Sequence, residues 1–258
     1  MPEGDTVFHA AHRLHDALAG STVVRSDFRV PAFATVDLAG ELVHGVASRG
    51  KHLLMRIGDV VVHSHLKMEG EWRVFRPGER WSRPGFQARA VLEVPTAVAV
   101  GFDLGVLEVF PVDEEADRLA YLGPDLLGPD WDAAEAVRRL AAHPDAPIAV
   151  AIAEQRNLAG LGNVYVNEVC FVRGILPTRP VGSVELAPLV DVARRMIFAN
   201  RDRFSRTTTG DTRRGNRLWV YGRGGEPCRR CGTAIEHGTI GRNEVEQRDT
   251  WWCPHCQR

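Results

Sequence analysis

Two Cys-x-x-Cys pairs near the C-terminal end constrain this chain more than any other feature in it. Cys228-Arg-Arg-Cys231 and Cys253-Pro-His-Cys256 are separated by 21 residues. Each pair can place two thiolates on one tetrahedral ion, and the stretch between them can form a β-hairpin. Four thiolates fill the coordination sphere of Zn²⁺, so the spacing predicts one structural zinc per chain with no open position for catalysis. A redox Cys-x-x-Cys is the alternative, but a redox motif needs no second one beside it. His237 and His255 are further possible ligands, for which four thiolates leave no vacancy. The segment from residue 216 onward is rich in Gly, Cys and Trp and too small to fold on an apolar core of its own.

The rest of the chain has apolar material to spare. A length of 258 residues, 44% of them hydrophobic, suggests two domains that each bury a core. The most apolar stretch, residues 88–110, is interrupted by Arg89, Glu93, Asp103 and Glu108, so no membrane span is expected. Met1-Pro2-Glu3-Gly4-Asp5 lacks the basic region and apolar core of a secretory signal, which points to a cytoplasmic protein. In a reducing compartment the five cysteines are not expected to form disulfides, and Cys170 in Val169-Cys-Phe-Val172 reads as a buried thiol.

A formal net charge of −1 conceals segregation. Residues 103–135 carry ten acids against one base, Arg118, whereas residues 194–217 carry eight arginines against Asp202 and Asp211. The second stretch is the kind of electrostatic footprint that phosphates attract. Of the 32 basic residues only Lys51 and Lys67 are lysines. Lysine can change protonation state where arginine cannot, so both are candidates for proton handling.

Val7, Ala10, Ala11, Leu14, Ala17 and Leu18 recur at helical spacing, predicting a helix over 5–18 that Asp5 or Thr6 caps and Gly20 stops. From 22 to about 112 the period changes to two, with segments such as 23–30, 52–57, 60–66, 88–94 and 97–102. That pattern reads as an antiparallel β-sandwich. Helices follow over 131–142, capped by Asp130, over 147–157 with Pro147 in the first turn, and over 185–200. Between the last two, Leu158-Ala-Gly-Leu-Gly-Asn163 reads as a tight turn with exposed backbone amides. The expected fold class is α+β and multidomain. Its parts are an N-terminal domain over 1–115, a linker over 116–130, a helical domain over 131–215 and a zinc hairpin over 216–258.

Pro2 follows the initiator Met. Removal of Met1 would expose a secondary amine with a pKa near 8, a usable nucleophile beside the carboxyl of Glu3. On its own this is weak, because many proteins begin Met-Pro. The weight comes from the set. Met1-Pro-Glu-Gly4, Ser48-Arg-Gly-Lys51, Leu158-Ala-Gly-Leu-Gly-Asn163 and Val220-Tyr-Gly-Arg-Gly-Gly-Glu-Pro-Cys228 precede the cysteine pairs in that order. Together they resemble the formamidopyrimidine-DNA glycosylase/endonuclease VIII family, over essentially the whole chain.

The resemblance implies a helix–two-turn–helix motif in the helical domain and a bifunctional enzyme of base excision repair, a DNA glycosylase and abasic-site lyase. Pro2 would attack C1′ of the damaged nucleotide, and Glu3 would protonate the ring oxygen as the sugar opens. Lys51 would contact phosphate and assist proton transfer. Arg248 would bind phosphate and assist the second elimination. Asn163 would grip phosphates from the helix–two-turn–helix turn, with Lys67, Arg217 and Arg223 among the other DNA contacts. A base inside a duplex has to be flipped out, and Met68 occupies the position of the wedge that fills the hole. His63 and His65 are expected to be structural or to line the groove.

Three departures bear on substrate. Glu69 puts an anion beside the wedge, where endonuclease VIII relatives have an aromatic residue. Residues 103–108 lack the Arg and Phe with which formamidopyrimidine-type members hold the opposite base. Residues 242–247 lengthen the zinc hairpin ahead of Arg248. The second departure places the resemblance nearer the endonuclease VIII branch, which implies oxidised pyrimidines and abasic sites as the favoured substrates. An 8-oxoguanine/formamidopyrimidine enzyme and a DNA-binding zinc protein without catalysis are the alternatives. Damaged duplex DNA is the expected partner, single-stranded or bubble DNA stays open, and the protein is expected to act as a monomer, in the cytoplasm and on the nucleoid.

Overall fold

The computed structural model describes residues 2–258. It divides into two compact units, residues 1–121 and 122–258. Each is described by itself.

The first unit opens with α1 (Gly4–Leu18), whose stripe of Val7, Ala11, Leu14 and Leu18 is buried. Burial of each larger side chain in that stripe contributes about 1.5–3 kcal/mol. Glu3, rather than Asp5 or Thr6, is the N-cap, and its backbone N–H donates to Thr6 Oγ1 at 3.5 Å. The strands are β1 (Arg25–Phe28), β2 (Val43–Arg49), β3 (His52–Ile57), β4 (Val60–His65), β5 (Glu71–Phe75), β6 (Ala88–Val94), β7 (Ala97–Phe102) and β8 (Val106–Pro111). They form two antiparallel sheets, ordered β1-β6-β7-β5 and β2-β3-β4-β8. Alternate residues such as Leu53, Met55 and Ile57 of β3 and Ala90, Leu92 and Val94 of β6 meet in one core with α1. This is the expected sandwich.

All six residues of β7 are buried because the sheet is covered on its second face as well. Phe75, Val91, Val98, Val100 and Phe102 pack there beneath Trp81. The acidic segment expected as a linker is instead folded. Glu115 opens a short helix, α2 (Glu115–Leu119), and takes a two-pronged ion pair from Arg56. Leu119, Leu122 and Leu126 are buried, so their apolar side chains outweigh the acids that made the stretch look like a tether.

In the second unit α3 (Ala133–Ala141) is capped by Asp132, not Asp130, which accepts from the amides of Ala134 and Glu135. Next come α4 (Ile148–Ala153), shorter than expected, then α5 (Asn163–Arg173) and α6 (Leu186–Phe198). Their core joins Leu140, Ile152, Leu161, Tyr165, Val169 and Leu189. The unit ends in a hairpin of β9 (Glu236–Ile240) and β10 (Arg248–Trp252). This hairpin is no separate body. Phe171 of α5 packs with Val220, Cys228, Ile235 and Cys253 in a core of their own. Among the described residues no helix is long and apolar enough to cross a membrane.

Candidate functional site

In the first unit, Pro2 and Glu3 sit at the N-terminal end of α1, and Glu3 is wholly buried. Lys51 lies in the two-residue turn between Arg49 and His52, which pair across β2 and β3. Gly50, its partner in the turn, takes φ +57.

The loop after β4 carries Lys67, Met68 and Glu69 outward, and Met68 is 61% exposed. The Gly70 N–H donates to the Leu66 carbonyl at 2.9 Å, and a Cβ at Gly70 would lie 2.4 Å from that oxygen. Only glycine closes the loop this tightly, which leaves an apolar side chain standing in solvent. Lys67 itself takes φ +54, and its stem lies where a Cβ on Gly105 would fall. The 103–105 segment is a short turn before β8, with Asp103 held by Arg83 at 2.7 Å and Leu104 buried. It holds no extended loop.

In the second unit the turn before α5 is buried rather than exposed. The Gln155 side chain organises it, donating to the carbonyls of Ala153 and Leu161 and accepting from the Gly160 amide. Asn163 is 9% exposed, and its side-chain amide donates to the Asp249 carbonyl at 2.7 Å. One turn on, Asn167 Oδ1 accepts from the Trp251 amide at 2.7 Å. Asn163 therefore sits one residue from Arg248, which is exposed and opens β10 opposite Ile240. Arg248 and Arg242 line a depression of about 420 Å³ with Glu154, Gln155 and Ile240. Arg242 also pairs with Glu154.

The Sγ atoms of Cys228, Cys231, Cys253 and Cys256 all lie within 4.8 Å of one another. The Cys231–Cys253 and Cys228–Cys256 separations are 3.5 and 4.0 Å. A tetrahedron with Zn–S bonds of about 2.3 Å has edges of about 3.8 Å, so the four thiolates fit zinc. The histidines join no such group among the described residues.

One expectation fails. Arg223 is 8% exposed, and its three guanidinium nitrogens donate to Glu226 and to the carbonyls of Trp219 and Pro227. It braces the loop ahead of Cys228 and is not presented to a phosphate. Arg217 is half-buried, with Nε on the Thr212 carbonyl. Much of the 194–217 charge is likewise engaged. Arg194 donates to the Leu126 carbonyl, Arg206 lies over the Tyr165 ring and Arg213 pairs with Asp211.

The family description "Formamidopyrimidine-DNA glycosylase N-terminal domain" matches residues 1–103, and "Zinc finger found in FPG and IleRS" matches residues 225–258. A DNA-(apurinic or apyrimidinic site) lyase Nei2 of Mycolicibacterium smegmatis is 56% identical over 259 residues, covering 100% of this chain and 99% of that one. The chain belongs to the formamidopyrimidine-DNA glycosylase/endonuclease VIII family.

Within the family, an Endonuclease 8 2 of Mycobacterium bovis is 52% identical over the full length of both chains. A formamidopyrimidine-DNA glycosylase of Geobacillus kaustophilus is 32% identical over 89% of this chain and 86% of its own. Among solved structures, MutM in complex with DNA containing carbocyclic 8-oxo-G superposes with a TM-score of 0.82 at 25% identity, covering 100% of both chains. Spacing led to the cysteines, and the family's motifs led to Glu3 and Lys51. They did not lead to Glu168, a fully buried carboxylate on α5 that accepts from the amides of Trp219, Val220 and Tyr221. Nor did they lead to His52, Glu108 and Tyr121, which join His63 in one hydrogen-bonded chain. Long sequence separations hide both groups from any periodicity.

Proposed function

We propose that this protein is a bifunctional DNA glycosylase and abasic-site lyase of the endonuclease VIII branch, with oxidised pyrimidines as its favoured lesions. The observation that carries the reading is the full-length identity, above half, to a relative named as an abasic-site lyase. Two features support the branch: identity to the endonuclease 8 relative exceeds that to the formamidopyrimidine-DNA glycosylase, and residues 103–108 lack the Arg and Phe expected of a formamidopyrimidine-type member.

In this reading Met1 is removed and the Pro2 amine attacks C1′. A C–N bond forms as the bond to the damaged base breaks, and the base leaves with its electron pair and gains a proton. Glu3, buried beside Pro2 in sequence, protonates the ring oxygen as it opens, leaving an iminium that acidifies the C2′ proton. Loss of that proton expels the 3′ phosphate, and a second elimination expels the 5′ phosphate. Lys51 and Arg248 hold phosphates and handle protons in these steps, while Met68 enters the stack in place of the flipped nucleotide. Zinc supplies no chemistry; its cysteines hold the hairpin that carries Arg248. Asn163 supports binding through the strand it anchors, and Lys67 and Arg217 add phosphate contacts. The protein works as a monomer on damaged duplex DNA.

Borohydride trapping tests the nucleophile. Protein with a free Pro2 should form a covalent adduct with an abasic duplex, and a blocked N-terminus should abolish it. Equal trapping by both forms would assign the chemistry to another amine.

A further inference from the structure

Tyr121, His52, His63 and Glu108 come from four separate segments of the first unit and form an unbroken hydrogen-bonded line. Tyr121 OH lies 2.9 Å from His52 Nε2, His52 Nδ1 lies 2.8 Å from His63 Nε2, and His63 Nδ1 lies 2.9 Å from Glu108 Oε2. With both imidazoles neutral, one proton arrangement satisfies every partner. A carboxylate only accepts, so His63 carries its proton on Nδ1 and donates it to Glu108. A neutral imidazole has one N–H, so His63 Nε2 accepts from His52 Nδ1–H. His52 Nε2 is then an acceptor, and the Tyr121 hydroxyl donates to it. In this arrangement every proton points toward Glu108, and both imidazoles are in the Nδ1–H form.

The line passes through the residue next to Lys51. His52 is the first residue of β3, pairs with His65 across β4, and closes the two-residue turn that holds Lys51. The charged and titratable groups around it are Arg49, its partner on β2, Lys51 on its own hairpin, His63, His65 and Lys67 from β4 and its loop, Glu108 from β8 and Tyr121 after α2. Burial first, then His63, His65 and the two lysines, hold His52 down to about pH 3 and leave it neutral. A cation at this place would compete with Lys51 for the same phosphate and disfavour its charged form.

We infer that this one-way relay positions Lys51 for strand cutting, with Tyr121 and Glu108 as its two replaceable ends. The inference rests on the role given to Lys51 above. None of the four needs to touch DNA; they act through the base of the turn. Because the Tyr121 hydroxyl donates to the unprotonated Nε2, it favours neutral His52. Removing it should therefore raise the pH at which His52 titrates.

The test compares wild type, Tyr121→Phe, Glu108→Ala and Glu108→Gln on a duplex with a preformed abasic site. Both ends are substantially exposed, so the substitutions leave the core intact. Single-turnover cutting at saturating enzyme should fall 3- to 10-fold in Tyr121→Phe and Glu108→Ala, with DNA affinity within twofold of wild type. Glu108→Gln keeps an acceptor for His63 and should recover to within twofold. The acid limb of the rate in Tyr121→Phe should move toward neutral pH, and ¹⁵N spectra should show unprotonated Nε2 on both histidines in wild type. Variants that cut at the wild-type rate and pH dependence, or that lose affinity or thermal stability with an unchanged pH profile, would overturn the relay. Wild type that fails to cut would instead overturn the activity assigned to the protein.

Discussion

Replacing Glu168 should separate the zinc end of the second unit from the helix that supports it. Its carboxylate takes the Trp219 amide at 2.7 Å and the Val220 and Tyr221 amides at 2.9 Å each, as well as the Thr208 hydroxyl. Burial pushes its pKa up; the Thr208 hydroxyl and the Trp219, Tyr221 and Val220 amides pull against that. With three amide donors that cannot turn round, we hold that the charged form is the one that fits at neutral pH. Glu168→Ala orphans three amides at about 1–3 kcal/mol each, and water entering the vacated space offsets part of this, for a net loss of about 3–5 kcal/mol. Glu168→Gln keeps one oxygen for two amides but turns an NH₂ toward the Trp219 amide, costing about 1.5–3 kcal/mol. For a protein of this size each kcal/mol lowers Tm by about 2–4 °C, so the zinc-loaded variants should melt in the order Ala, Gln, wild type. Calorimetry at neutral pH reads this directly. If Gln melted with wild type, the carboxyl would be protonated in the fold, and the reasoning from its donors would be wrong.

Three further outcomes follow from the geometry. Glu3→Gln should bind DNA almost normally and lose base excision, while cutting at a preformed abasic site survives better; excision at the wild-type single-turnover rate would remove Glu3 as the acid. Cys253→Ser, or a strong chelator, should unfold the hairpin and weaken DNA binding while the sandwich melts as before, and elemental analysis should find one zinc per active chain. His52 and His65 are held at about 3 and 4, below their ordinary 6.5, so the unfolded chain takes up protons first. Their stabilising contribution is full above pH 6.5 and is lost as pH falls toward 3, by about 5 kcal/mol at most for His52. Urea unfolding of wild type and His52→Asn across pH 4–7 should show a shallower slope in the variant.

What the sequence disclosed depended on whether a residue's neighbours lay close along the chain. The zinc ligands come in pairs three apart and were readable from spacing, whereas Lys51 stood out as one of two lysines and drew its role from the family resemblance. Arg223 was misread because charge alone does not say which way a guanidinium points, and here Glu226 and two carbonyls turn it inward. The acidic stretch was misread for the same reason, since Arg56, which neutralises Glu115, is 59 residues away. Tyr121 and His52, 69 residues apart, leave no periodic trace at all.

The bonds from α5 to β10 have a consequence for solubility. A two-stranded hairpin leaves the outer side of each strand unpaired, and such an edge is a template on which another chain can add. On β10 the outward groups at Asp249 and Trp251 are a carbonyl and an amide, the alternation a neighbouring strand would satisfy. Asn163 donates to the first and Asn167 accepts from the second, so two side chains one helical turn apart stand in for a missing strand. The helix thus closes the edge of the hairpin and denies it to other copies, and Asn163→Ala would reopen part of that edge to self-association.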